Sequence, residues 1–145
     1  MNPRLSSETL HATTVAKGGR AVLISGRSGS GKSDLALRLL DRGFVLVSDD
    51  QTYLRIAGGK LVAAAPPTIR GKLEVRGIGI VEVEHVDDAA VCLVVELTGA
   101  IERLPDDGRE RLILGAKIPL VSIDAQTASA PAKVAIALDL LGLKP

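Results

Sequence analysis

The chain has 145 residues, a net charge of +1 at pH 7, 46% apolar residues and 24% charged ones. That length fits one domain with a real core, and the near-neutral charge gives no electrostatic case for a nucleic-acid or membrane surface. With Phe44 and Tyr53 as the only aromatics, base stacking on aromatic platforms is not an available mode of recognition.

Cys92 is the single cysteine. It precludes an internal disulfide and reads as a buried structural thiol. The opening "MNPRLSSETLH" is too polar for a signal peptide, and no apolar run reaches the length of a membrane span. The expectation is a cytoplasmic protein whose residues 1–10 form a flexible N-terminal segment.

In chain order, residues 11–25, "HATTVAKGGRAVLIS", read as a hairpin turning at Gly18-Gly19. Pairing Lys17 with Arg20 sets His11 opposite Gly26. "SDLALRLLDRG" is a helix with Leu35, Leu39 and Leu40 on one face and Gly43 at a left-handed cap. "FVLVS" is a short buried strand that runs into two adjacent carboxylates, Asp49 and Asp50. "TYLRIAGGKLVAAA" is a second hairpin, turning at Gly58-Gly59 and ended by Pro66-Pro67. "KLEVRGIGIVEVE" alternates in period two, with Leu73, Val75, Val81 and Val83 on one side and Glu74, Arg76, Glu82 and Glu84 on the other. Its Gly77 and Gly79 predict a bend or a close backbone approach. "AVCLVVEL" and "IPLVSI" are strands, "DDGRERLILG" holds a short helix, and "PAKVAIALDLLG" is a terminal helix with Pro131 near its start and Gly142 just past its end.

Residues 26–33, "GRSGSGKS", match the P-loop pattern in full. Glycines let backbone N–H groups curl around phosphate oxygens. Lys32 places a point charge on the β- and γ-phosphates, Ser33 offers a hydroxyl to Mg²⁺, and the following helix points its positive end at the anion. Gly26, Arg27, Ser28, Gly29, Ser30, Gly31, Lys32 and Ser33 are thus the candidate ATP-binding residues. A Gly/Ser turn can match such a pattern by chance. The strand "AVLIS" before it and the helix after it supply the required context, which favours nucleotide binding.

Strand, P-loop, helix and strand make a βαβ unit whose two strands run parallel. Their C-terminal ends then share one edge, where ligands of open α/β sheets bind. Asp49 and Asp50 leave the second strand at that edge and face triphosphate, Mg²⁺ and the phosphoryl acceptor. One acid serves the metal; the other accepts a proton from the attacking hydroxyl. The bland alternative is a solvated turn. His11 is either a phosphate-side residue or an edge-strand histidine. Glu74 either completes the Mg²⁺ shell or lies on a solvated face. Arg103 and Arg111 each either neutralise transition-state charge or sit on the surface. His85 reads as a surface or turn residue.

Asn2 is the only asparagine, so a GTPase with its N-K-x-D segment is disfavoured. A small-molecule kinase usually carries an Arg-rich lid, and none is evident, although "RLPDDGRER" reads as a loop. "GRSGSGKS", "SDD" ending at Asp50 and "LEVRGIGI", with His11 ahead of the P-loop, together resemble the catalytic domain of HPr kinase/phosphorylase. The likeness runs from about His11 to the final helix. It implies an α/β, P-loop NTPase-type fold related to phosphoenolpyruvate carboxykinase: a mixed sheet with β-hairpins and flanking helices, spanning residues 1–145 as one kinase domain. It implies an ATP- and Mg²⁺-dependent protein kinase acting on a serine of HPr, the phosphocarrier of the sugar phosphotransferase system, and a homo-oligomer, typically a hexamer. By the same resemblance Asp50 is the general base, Lys32 the P-loop lysine, His11 an active-site histidine, and Ser33 and Glu74 the Mg²⁺ ligands, with Asp49 assisting the metal. Arg103, in "IERLP", is the match for a downstream catalytic arginine, with Arg111 as the alternative. The chain starts almost at the catalytic core, like the short single-domain form of the family. Before the last helix it has "IDAQTASAPAK", without the arginine that longer members use for phosphorolysis, so that activity is expected to be weakened. A small-molecule kinase and a non-catalytic nucleotide sensor are the rival readings.

Overall fold

A nine-stranded mixed sheet organises residues 6–101 and 108–144, the part of the chain that the computed structural model describes. The strands are β1 Ser7–Leu10, β2 Thr13–Lys17, β3 Arg20–Ser25, β4 Val45–Ser48, β5 Thr52–Ala57, β6 Lys60–Ala64, β7 Lys72–Val75, β8 Gly79–Glu82, β9 Asp88–Leu97, β10 Glu110–Ile113 and β11 Ala116–Ile123. The helices are α1 Lys32–Leu40 and α2 Ala130–Leu141. The main path is β1-β5-β6-β9-β3-β2-β4, with β11 also on β9, β10 beyond it, and β7-β8 as a separate two-stranded sheet.

β3 is apolar along its length because both its faces are covered. Val22 and Ile24 pack with Leu35 and Leu39 of α1, Val134 and Leu138 of α2, and Leu73 of β7. Ala21 and Leu23 pack on the opposite face with Val47, Leu54, Leu61, Ile113 and Ile118. Leu35 and Leu39 are fully buried, as the helical spacing predicts. Truncating either to Ala would cost about 2–5 kcal/mol. Gly43 takes the left-handed conformation expected past α1, at φ 88°.

The first hairpin has the predicted register, from Thr13↔Ile24 to Lys17↔Arg20. The ladder stops there, so His11 does not pair with Gly26. The Ala12 N–H bonds Leu10 O at 3.0 Å, and the chain turns into β1, which pairs with β5 from Ser7↔Arg55 to Leu10↔Thr52. Residues 7–10 are therefore an edge strand and not a flexible segment; the ladder on β5 supplies their backbone partners.

β2 lies between β3 and β4 and runs antiparallel to both. β3 and β4 consequently point the same way, as the βαβ reading requires, although they are not neighbours. Two other expectations change. "KLEVRGIGI" does not merely bend; it reverses as a hairpin, with Val75↔Gly79 and the Ile78 N–H bonded to Val75 O at 2.9 Å. Gly77 at φ 85° and Gly79 at φ 127° permit that turn. "DDGRERLILG" forms no helix in its described part. Glu110–Ile113 is strand β10, folded onto β11 by a turn in which Leu114 (φ 51°) and Gly115 (φ 84°) are both left-handed.

Arg20 closes the end of α2. Its guanidinium donates to Leu138 O at 2.8 Å, which also accepts the Gly142 N–H at 3.1 Å, and to Leu143 O at 3.0 Å, just past the helix. Cys92 is buried and unpaired. Among the described residues, no helix is long and apolar enough to cross a membrane.

Candidate active site

The P-loop leaves the C-terminal end of β3. Gly29 (φ 79°) and Gly31 (φ 99°) adopt backbone conformations that side-chain-bearing residues rarely take. Gly26 has no room for one, since a Cβ there would lie 2.6 Å from Ser30 Oγ and 3.2 Å from Leu97 Cβ. Gly31 is the N-cap of α1, so the unpaired N–H groups of the first turn face the loop. Lys32 is buried, and its ammonium donates to Gly26 O at 2.9 Å and Arg27 O at 3.0 Å. The loop thus surrounds its own cation.

The two adjacent acids part company. A bulge shifts the β2–β4 register, so that Thr14 pairs with Ser48 but Val15 with Leu46. Asp49 then turns inward and is buried. Its Oδ1 accepts the Ser33 hydroxyl at 2.6 Å and the Thr13 hydroxyl at 3.0 Å, and its Oδ2 accepts the Glu74 backbone N–H at 3.0 Å. Asp50 takes φ 67° and points outward. Its carboxylate lies 3.1 Å from His11 Nε2, with the side chains 59% and 56% exposed. β2 runs opposite to β3, so the chain just before β2 returns to the edge where the P-loop leaves β3. This brings His11 to the site without the pairing to Gly26.

These groups open onto a cavity of about 520 Å³ whose wall includes His11, Ser28, Gly29, Gly31, Lys32, Ser33, Asp50 and Glu74. Gly26, Arg27 and Ser30 build the body of the loop. Asp49 lies beneath the cavity, touching it through Ser33. Arg103 lies outside the described residues. Arg111 pairs opposite Ile118 in β10 and is not on the cavity wall. His85 is exposed, as read from the sequence.

The sequence reading missed several wall residues. Arg76, assigned there to a solvated strand face, lines the cavity, as do Asp34, Arg38 and Gln126. Arg38 pairs with Asp34 at 3.1 Å, one helical turn away. It also donates to Ala125 O at 2.7 Å and Thr127 O at 3.3 Å, holding the loop after β11 against the P-loop helix. The i,i+4 spacing of Asp34 and Arg38 was visible in the sequence; the loop they hold was not. Gln126 Nε2 lies 3.8 Å from where a Cβ on Gly31 would be.

The oxygen set fits Mg²⁺. Ser33 gives its proton to Asp49, so its lone pairs remain for a cation, and Glu74 adds a hard carboxylate at the wall. Among the described residues no group of three His, Cys, Asp or Glu side chains is placed to hold a metal. A larger cleft of about 760 Å³ lies between α2 and β11, lined by Ile136, Leu140 and Val121 among others. It contains no P-loop residue.

Residues 4–138 match the family model described as HPr Serine kinase C-terminal domain. The chain is 39% identical over 105 residues to an HPr kinase/phosphorylase of Clostridium tetani, covering 72% of this chain and 34% of that protein. It is 38% identical over 131 residues to an HPr kinase/phosphorylase of Xylella fastidiosa, covering 79% and 42% respectively. The chain thus spans less than half the length of these curated relatives. The solved structure of the Hpr(Ser) kinase/phosphatase from Coxiella burnetii has the same fold, with a TM-score of 0.81 and 29% identity, over 91% of this chain and 88% of that one. Sequence and fold agree over nearly the whole chain, which belongs to the HPr serine kinase C-terminal domain family.

Proposed function

We propose that this chain is an ATP-dependent protein serine kinase whose acceptor is a seryl hydroxyl of HPr. One observation carries the reading. Asp50 and His11 stand exposed at the mouth of the cavity that Lys32 and Ser33 line, so a hydroxyl on a protein surface can reach the proton acceptor without being enclosed. The kinase names of the relatives, and the family model's match over residues 4–138, support it.

In this reading the P-loop amides and Lys32 hold the triphosphate and neutralise charge as it develops. Ser33 and Glu74 would hold Mg²⁺, which would supply positive charge against the phosphate oxygens, with Asp49 fixing the Ser33 proton. Asp50 accepts the seryl proton while the phosphoryl group moves in line from ATP to the seryl oxygen. The proton leaves late in a loose transition state. His11 orients Asp50. Kinship of the fold with phosphoenolpyruvate carboxykinase, a cytoplasmic setting and a hexameric assembly belong to the same proposal.

The test is transfer of γ-labelled phosphate from ATP to purified HPr, with hydroxylated metabolites as controls. Label in HPr serine is expected. Label in a metabolite instead would make the chain a small-molecule kinase, and tight nucleotide binding without transfer would make it a sensor.

A further inference from the structure

Thr13 is fully buried, and its one hydroxyl touches both acids. It donates to Asp49 Oδ1 at 3.0 Å and accepts the Asp50 backbone N–H at 3.1 Å. The next residue, Thr14, is equally buried but spends its hydroxyl on Thr52 Oγ1 at 2.9 Å, away from the acids. A buried strand position of this kind ordinarily takes valine, which has the same shape as threonine. Thr13 is therefore a polar group with a defined use.

That use follows from geometry. β4 ends at Ser48, so Asp50 N–H has no ladder partner there, and Asp50 sits in the left-handed region at φ 67°. Thr13 supplies the missing acceptor and so fixes the backbone turn that aims the Asp50 side chain toward His11. At the same time its proton and that of Ser33 converge on Asp49 Oδ1, while Glu74 N–H holds Oδ2. Three donors fix the carboxylate plane. With Asp49 fixed, the Ser33 proton points inward and its lone pairs point to the cavity.

We propose that Thr13 is a positioning residue for both halves of the reaction: through Asp49 it orients the Ser33 hydroxyl toward a divalent cation, and through the Asp50 backbone it aims the proton-accepting carboxylate. The second half rests on the kinase reading above. The first needs only Mg²⁺-nucleotide binding, which allows the two to fail separately.

The experiment compares Thr13→Val, Thr13→Ala, Thr13→Ser and Thr14→Val. Two quantities are measured: the Mg²⁺ concentration that half-saturates binding of a fluorescent ADP, and kcat and KM for transfer to HPr. Outer-shell partners of metal sites typically count for about 10–100-fold. Thr13→Val is expected to raise the Mg²⁺ requirement and lower kcat by an amount in that range, leaving KM for HPr unchanged, because the interaction lost bears on the reacting groups and not on docking. Thr13→Ser, which keeps the hydroxyl, should restore most of both. Thr14→Val should lower the melting temperature but move neither quantity. Thr13→Val behaving like Thr14→Val would overturn the proposal. So would failure of both Thr13→Val and Thr13→Ala to fold, since Thr13 would then be a folding residue. If the unaltered protein transfers nothing to HPr, the kinase reading falls, and an unshifted Mg²⁺ requirement in Thr13→Val still decides against the positioning role.

Discussion

His11 Nε2 and Asp50 Oδ1 lie 3.1 Å apart, although one residue precedes β2 and the other follows β4. The pair is exposed and so contributes only about 0–1 kcal/mol to stability. Asp50→Asn should keep the fold and nucleotide affinity but lower transfer about 10²–10⁴-fold, the usual worth of general-base help. Calorimetric titration with ATP beside initial rates would show the split. Full activity in Asp50→Asn would remove the residue from the mechanism.

Asp49→Asn should fail differently. Three donors converge on this carboxylate, and an amide presents one NH₂ where an acceptor is needed. The buried mismatch should cost about 1–3 kcal/mol of stability, and Mg²⁺-dependent nucleotide binding should weaken. Thermal melts and a Mg²⁺ titration check both effects. A stable Asp49→Asn with normal Mg²⁺ dependence would contradict the inward placement of the side chain.

The cradle can be broken from two directions. Lys32→Ala removes the cation held by Gly26 O and Arg27 O and should abolish transfer at saturating MgATP. Gly26→Ala keeps every charge but places a methyl 2.6 Å from Ser30 Oγ. It should weaken nucleotide binding by deforming the loop, which a binding titration would register. Normal affinity would mean that Ser30 yields without moving the backbone.

Phosphorolysis should be slower than the forward reaction. Holding inorganic phosphate in line with a seryl phosphate brings many negative oxygens together and needs additional fixed donors. The loop after β11 offers Gln126 to the cavity but no arginine. Of the two guanidiniums on the cavity wall, Arg38 is already bound to Asp34, Ala125 O and Thr127 O, which leaves Arg76. Pyrophosphate release from phosphoseryl-HPr, inorganic phosphate and Mg²⁺ measures this rate. A rate equal to that of the kinase would show that Arg38, Arg76 or the backbone suffices.

Burial pushes the Cys92 thiol above its ordinary value of 9.0, with the nearby Arg20 guanidinium opposing only part of the shift. The native thiol should therefore resist alkylation and react once the chain unfolds. The sign of the pH effect follows. In the unfolded chain the thiol loses its proton near the ordinary value, while the folded chain keeps it, so stability should fall as pH rises above about 9 toward the raised value. Cys92→Ala should flatten that slope in urea titrations, and an unchanged slope would assign it to other groups.

Much of the site was legible in the sequence because its determinants are local. The eight-residue loop between a strand and a helix, and the register of a Gly-Gly turn with β-rich flanks, both stand as read. The shared edge of β3 and β4 followed from the handedness and direction of a βαβ unit. The local code failed where a non-local partner decided. Ser7–Leu10 becomes a strand only because β5 is beside it, and Glu110–Ile113 because β11 folds back on it. Nothing in "SDD" distinguishes its two acids. Their opposite directions come from the bulge against β2, the left-handed turn at Asp50 and the Thr13 hydroxyl between them. Those three features exist only once β2 has inserted between β3 and β4, because backbone pairing across a sheet, unlike turn chemistry or periodicity, is set by residues distant in the chain.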